Sequence, residues 1–282
     1  MQKKLIALVA AALTVSATSV FAAPAVAGDI SLEYQKDKGS DSTLISETNI
    51  NLDANFAENI NLHSRFTAYY DADNDNMTSV ELSQLFVNTQ VNDLTLNIGK
   101  QPLWLGGHGL LADAVGVNGV QIGTTFGDMA FAGFHGKDGD SVTAIDVAGN
   151  VGKAVLGASY LKKGDAYLGI NAAQAISEDA VGSIEFVKNT DSKADGFLAQ
   201  IAFGGAKKVG DIGYTVSYRD IEAGAVDAGY TTDSNYNDSK GFRFGVTYKV
   251  AKNGVLSAYH DAVDSQAGFD KSRTKVEYIM NF

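Results

Sequence analysis

Four arginines occur beyond residue 22: Arg65, Arg219, Arg243 and Arg273. Each lies in a run of alternating polar and apolar residues, and each takes the polar phase. Phe66 flanks the first, Tyr218 the second, Phe242 and Phe244 the third, and Thr274 the fourth. Lys249 and Lys275 share that phase. A guanidinium stays charged and offers five donors, so arginines on one sheet face can attract anions or pair with carboxylates across strands. Facing hydrocarbon, each would cost ~2–4 kcal/mol, whereas a wet interior tolerates them. The simpler reading is that they solvate such an interior and pair with Glu33, Glu47 or Asp53.

A second stretch, residues 99–116, reads GKQPLWLGGHGLLADAVG and holds the single tryptophan, Trp104, together with His108 and Asp113. It is too apolar for a loop extended into water. The four histidines, His63, His108, His135 and His260, lack the spacing of metal ligands. Asp71, Asp73 and Asp75 resemble the start of a calcium loop, but Asn76 stands where the sharp turn needs glycine, and Leu82 fills the twelfth position. A solvated loop is expected there, with no metal. Neither a G-x-S-x-G elbow nor a spaced carboxylate cluster is present, so no catalytic residues, no enzyme activity and no cofactor are expected.

These residues sit on strands. The clearest alternating runs are Phe197/Ala199/Ile201/Phe203, Ile212/Tyr214/Val216/Tyr218 and Phe242/Phe244/Val246/Tyr248/Val250. Others lie near 30–35, 49–56, 60–70, 84–91, 94–98, 117–126, 129–136, 141–148, 153–161, 166–175, 181–188, 255–261 and 272–282, which makes about sixteen. The phases of 129–136 and 255–261 are ambiguous, so fourteen is the alternative count. Even-numbered links read short (57–59, 92–93, 127–128, 149–151, 252–254). The long ones (71–79, 102–116, 221–240, 262–271) are odd-numbered. Such a bias separates a membrane barrel from a secreted sandwich.

The N-terminus starts Met1-Gln2-Lys3-Lys4, runs apolar through Leu13, and offers Val20-Phe21-Ala22 and Ala25-Val26-Ala27 as small-residue exits. That is the layout of a secretory signal peptide over residues 1–22, with cleavage after Ala27 as the alternative. The remainder, 23–282, would be one barrel domain. Its 20 basic and 33 acidic residues leave a net charge of −13, which argues against nucleic acid as a partner. The sequence has no cysteine.

The last strand, residues 271–282, alternates Thr274, Val276, Tyr278, Met280 and Phe282 against Arg273, Lys275, Glu277 and Asn281, and stops on the aromatic. It resembles the closing strand of Gram-negative outer-membrane barrels. With the strand number, the link order and the basic row, the chain resembles the general porins over its mature length. The resemblance implies an all-β, antiparallel, up-and-down transmembrane barrel of 16 strands whose third extracellular loop folds inward. It implies Phe282 as the signal read by the barrel assembly machinery, both termini in the periplasm, and a homotrimer in outer-membrane lipid. Trp104 and His108 would then lie on the inserted loop. Asp113 would face a basic wall of Arg65, Arg219, Arg243, Arg273, Lys249 and Lys275. The implied function is passive diffusion of ions and small hydrophilic solutes. The alternative is a structural or surface-display outer-membrane barrel acting through its long extracellular loops, residues 221–240 above all.

Overall fold

The computed structural model describes residues 24–232 and 234–282. The signal segment expected over 1–22 lies outside the described residues. Sixteen strands form one closed sheet. They are β1 (Ala25–Asp37), β2 (Ser42–Ala57), β3 (Ile60–Asp71), β4 (Asn76–Val91), β5 (Leu94–Leu105), β6 (Ala112–Phe126), β7 (Met129–Asp138) and β8 (Asp140–Val151), followed by β9 (Ala154–Lys163), β10 (Asp165–Ala175), β11 (Ala180–Asn189), β12 (Asp195–Gly204), β13 (Ile212–Ile221), β14 (Ser239–Ala251), β15 (Gly254–Ser265) and β16 (Arg273–Asn281). Every strand pairs antiparallel with its neighbours in sequence, and β1 closes on β16 from Asp29↔Asn281 to Asp37↔Arg273.

Closure leaves no edge over the paired span, and period-two alternation sorts side chains into two rows. The outer row is apolar: Ile30, Leu32, Ile98, Ile122, Ile170, Ile201, Phe244 and Val246 are all exposed. Exposed isoleucines in such number suit hydrocarbon rather than water.

The links differ from the expected lengths. Residues 72–75 alone join β3 to β4, and 106–111 alone join β5 to β6, because the ladders continue through stretches read as loop. The β8–β9 turn falls at 152–153 rather than 149–151. The side bias is also weaker. Gly139 and Gly164 each suffice as a link at the far end, while residues 205–211 form a longer link at the end bearing the termini. Asp71 shows why the acid-rich link is short: its carboxylate accepts the backbone N–H groups of Asp73 and Asn74, closing a local turn.

One hairpin leaves the wall. Pairing of β5 with β4 stops at Leu85↔Lys100, and pairing of β6 with β7 stops at Asn118↔Lys137. Beyond those points β5 and β6 pair only with each other, through a bulge between Gln101 and Leu103. A bulge bends a ribbon and re-aims its side chains. The freed tip crosses the interior to β10 and β11. There Leu110 and Leu111 are fully buried, and Leu111 lies against Gly169. Leu103, Leu105, Ala112 and Ala114 join them in an apolar cluster with Phe134, Val142, Leu161, Tyr167, Val187, Leu198 and Ile221. The cluster therefore fills the far half of the interior along β7–β13, and each fully buried leucine contributes ~1.5–3 kcal/mol.

Candidate functional site: the lumen

The opposite flank of the interior is polar. Register carries one inward row through Arg243↔Asp261↔Arg273↔Asp37 over β14, β15, β16 and β1. The next row down runs Tyr259↔Lys275↔Gln35. Arg273 donates to Asp37 at 2.5 and 3.0 Å, and Lys275 meets Glu33 at 2.7 Å. Arg65, on β3, donates Nε–H to Asn51 at 2.8 Å. His63 contacts Asp53 at 2.7 Å and its ring lies against Phe86. Lys249 holds the same inward phase near the terminal end of β14.

All four arginines thus occupy the inward phase, yet they do not form one open basic wall. Arg219 is only 5% exposed and lies 5.0 Å from the ring of Tyr236, with Ser217 accepting from its guanidinium. Arg243 lies 5.5 Å from the same ring and grips the fully buried Asp261 at 2.7 and 3.0 Å. Tyr236 belongs to the link between β13 and β14, of which residues 222–232 and 234–238 are described, and it is buried together with Ala225, Val226 and Tyr230. That burial is the physical reason for the correction: the loop covers two of the four guanidinium groups. Within the same segment residues 222–224, 228, 229, 232 and 234 are exposed.

The inserted hairpin presents two faces. Leu103, Leu105, Ala112 and Ala114 turn to the apolar cluster, while Trp104 and Asp113, paired across the ribbon, share the other face. Trp104 is 52% exposed there, its Nε1–H donating to the Gly106 carbonyl at 2.8 Å. His108 stands at the tip, with Nε2 2.6 Å from Ser183 Oγ. The remaining two histidines, His135 and His260, contact Thr143 and Thr274 on the outer row.

Two carboxylates that the sequence reading missed hold this arrangement. Glu185, on the inward row of β11, is 0% exposed and accepts the N–H groups of His108 at 2.6 Å and Leu111 at 3.3 Å. Gly106 comes so close to Glu185 that any side chain there would strike the carboxylate, and its φ of +86° also suits only glycine. The other is Asp261. An acid in the inward phase beside apolar inward neighbours was the available signal for Glu185. Asp261 had none, because its partner is set by register.

No protein-family model matches the chain, and no curated protein does. Solved structures do. An engineered variant of the Rh. blastica porin superposes with TM-score 0.69 at 12% identity, covering 92% of this chain and 100% of that one. OmpT of Vibrio cholerae, an outer membrane protein solved in a trimer form, gives TM-score 0.60 at 12% identity over 94% and 100% of the two chains. At such identity the likeness is one of fold: the chain has the closed 16-stranded transmembrane barrel of the porins.

Proposed function

We propose that the protein is an outer-membrane porin that lets ions and small hydrophilic solutes diffuse through an eccentric, water-filled channel. The observation that carries this reading is the division of the interior. The hairpin tip and its apolar cluster close one flank, and the inward rows of the wall from β14 through β1 to β4 are mainly charged, amide and hydroxyl side chains, with Phe86 lying against His63. Trp104 and Asp113 form the channel-facing side of the hairpin, opposite Arg65, Arg273 and Lys275. Lys249 lines the mouth below. The barrel works without cofactor, metal or covalent step, so solutes move down their own gradients.

The lining also speaks to the solute. At one level register places Asn55, Asn61, Asn88, Asn97 and Gln121 directly opposite one another over five strands. Amides donate and accept without charge, so hydroxyl-rich neutral solutes can exchange water for them without being trapped. Ion pairing leaves Arg273 and Lys275 largely neutralised, with Asp29, Glu47 and Glu277 in excess, which favours weak cation preference over the anion preference expected of a bare basic wall.

In this reading a signal peptide ending at Ala22 directs export, and cleavage there keeps Ala25, Val26 and Ala27 in their pairing with β2. The termini face the periplasm, Phe282 marks the chain for the assembly machinery, and three copies associate in the outer membrane. The V. cholerae trimer supports the last point. The test is conductance of the purified, detergent-extracted protein in planar bilayers. Stable ohmic steps are expected, and a folded barrel that stays silent refutes the channel.

A further inference from the structure

We propose that the described residues of the β13–β14 link, 222–232 and 234–238, act as a wedge that sets the channel width, holding the inserted hairpin in place from an anchor formed by Tyr236 and Asp261. This rests on the channel reading above. Once the hairpin leaves the wall, neither β4 nor β7 supports its tip by strand pairing. Its lateral support comes from two sides. On one, Glu185 of β11 accepts from the backbone of His108 and Leu111. On the other stands the wedge. Asp113 N–H donates to the Tyr230 carbonyl at 2.5 Å, and Thr232 donates its N–H to Gly109 O at 3.3 Å and its hydroxyl to His108 O at 3.2 Å.

The wedge is itself pinned at both ends. Lys163, at the top of β9, lies 3.9 Å from the Tyr230 ring and 3.4 Å from Asp227. At the other end the Tyr236 hydroxyl donates to Asp261 at 2.9 Å, and its ring lies close to the guanidinium groups of Arg219 and Arg243. A loop whose residues 225, 226, 230 and 236 are buried behaves as a packed element rather than a solvated one. Tyr236 and Asp261 are positioning residues: both hold the wedge, and through it the hairpin.

The test uses the full chain in planar bilayers, with heat-modifiable migration as the check that each barrel has folded. The variants are Tyr236→Phe, Asp261→Asn, and replacement of residues 223–237 by a short Gly-Ser linker. Each is also made with Leu111→Cys, whose thiol would be the only one in the chain, so that a thiol reagent reports lifting of the hairpin. Loop replacement is expected to raise single-channel conductance about twofold by widening the constriction. Tyr236→Phe should speed labelling at position 111 about three- to tenfold, the worth of one hydrogen bond. A folded loop-replaced barrel with wild-type conductance and wild-type labelling rate overturns the wedge while leaving the channel standing. A silent wild-type barrel removes the channel reading and the wedge with it. Should Asp261→Asn fail to fold, Tyr236→Phe keeps the question open to measurement, since it removes one hydroxyl and leaves the ring.

Discussion

Charge in this lumen acts through pairs, and the pairs decide what each substitution does. Arg273 and Asp37 stand 236 positions apart in the chain yet face each other across the closing seam. Replacing Arg273 by Gln leaves Asp37 without its fork partner and adds one net negative charge to the inward face of the β1–β16 seam. Arg65→Gln removes a second fixed cation. We expect the double variant to move the reversal potential in a KCl gradient toward the cation value by several millivolts; an unchanged potential places both side chains away from the conducting path. Asp270, in the link before β16, behaves differently. Hydrogen bonds from Ser272, first through its side chain and then its backbone N–H, hold that carboxyl below the ordinary range. Its contribution is therefore present above the unfolded-state pKa and is lost as pH falls through the depressed folded one. The link 266–272 should become protease-sensitive only in strong acid, while the barrel stays folded. The phase of the arginines was legible from alternation alone. Their partners were not, because Asp37 and Asp261 are assigned by register over the whole barrel, and register depends on strand ends that sequence places only to within a few residues.

The inserted hairpin is held by packing as much as by hydrogen bonds. Leu110 and Leu111 are wholly buried, and truncating a buried leucine to alanine costs ~2–5 kcal/mol where the site cannot collapse. Leu110→Ala with Leu111→Ala should leave a folded barrel, since neither residue belongs to the ladder, but produce flickering open-channel current; quiet wild-type traces would show that the tip needs no apolar anchoring. Deleting residues 106–111 outright should raise conductance further and abolish the flicker, because no mobile tip remains. Sequence reading found this element through its composition: an apolar stretch with one tryptophan does not extend into water. It misjudged the length, taking as loop the residues 102–105 and 112–116 that continue the strand ladder. It missed the buried residues of the link between β13 and β14. That stretch is acidic and glycine-containing, the usual look of a solvated loop, and the burial within it depends on Tyr230 and Tyr236 finding cationic partners on β9, β13 and β14. No local pattern encodes that.

At the scale of the molecule the barrel exists only if the first strand finds the last. The seam is made by β1 and β16, and its terminal bonds come from Phe282: its N–H donates to Gly28 O at 2.9 Å and its carbonyl accepts from Gly28 N at 3.0 Å. The Phe282 ring lies over Gly28, where a side chain on residue 28 would collide with it. Two ladder bonds are worth about 1–3 kcal/mol together, a small part of what sixteen paired strands supply. Deleting Phe282 should therefore barely change folding from urea into detergent micelles, followed by heat-modifiable migration. Recognition by an assembly machinery, as proposed for Phe282, would be a different quantity, since it would act on the free strand before closure. In cells the same deletion should sharply reduce barrel in the outer membrane and leave unfolded chain behind. Equal losses in micelles and in cells would mean that Phe282 only closes the seam. A loss confined to cells would mean that the aromatic end is read as a signal, and Phe282→Tyr should then restore most of the assembly that Phe282→Asp removes.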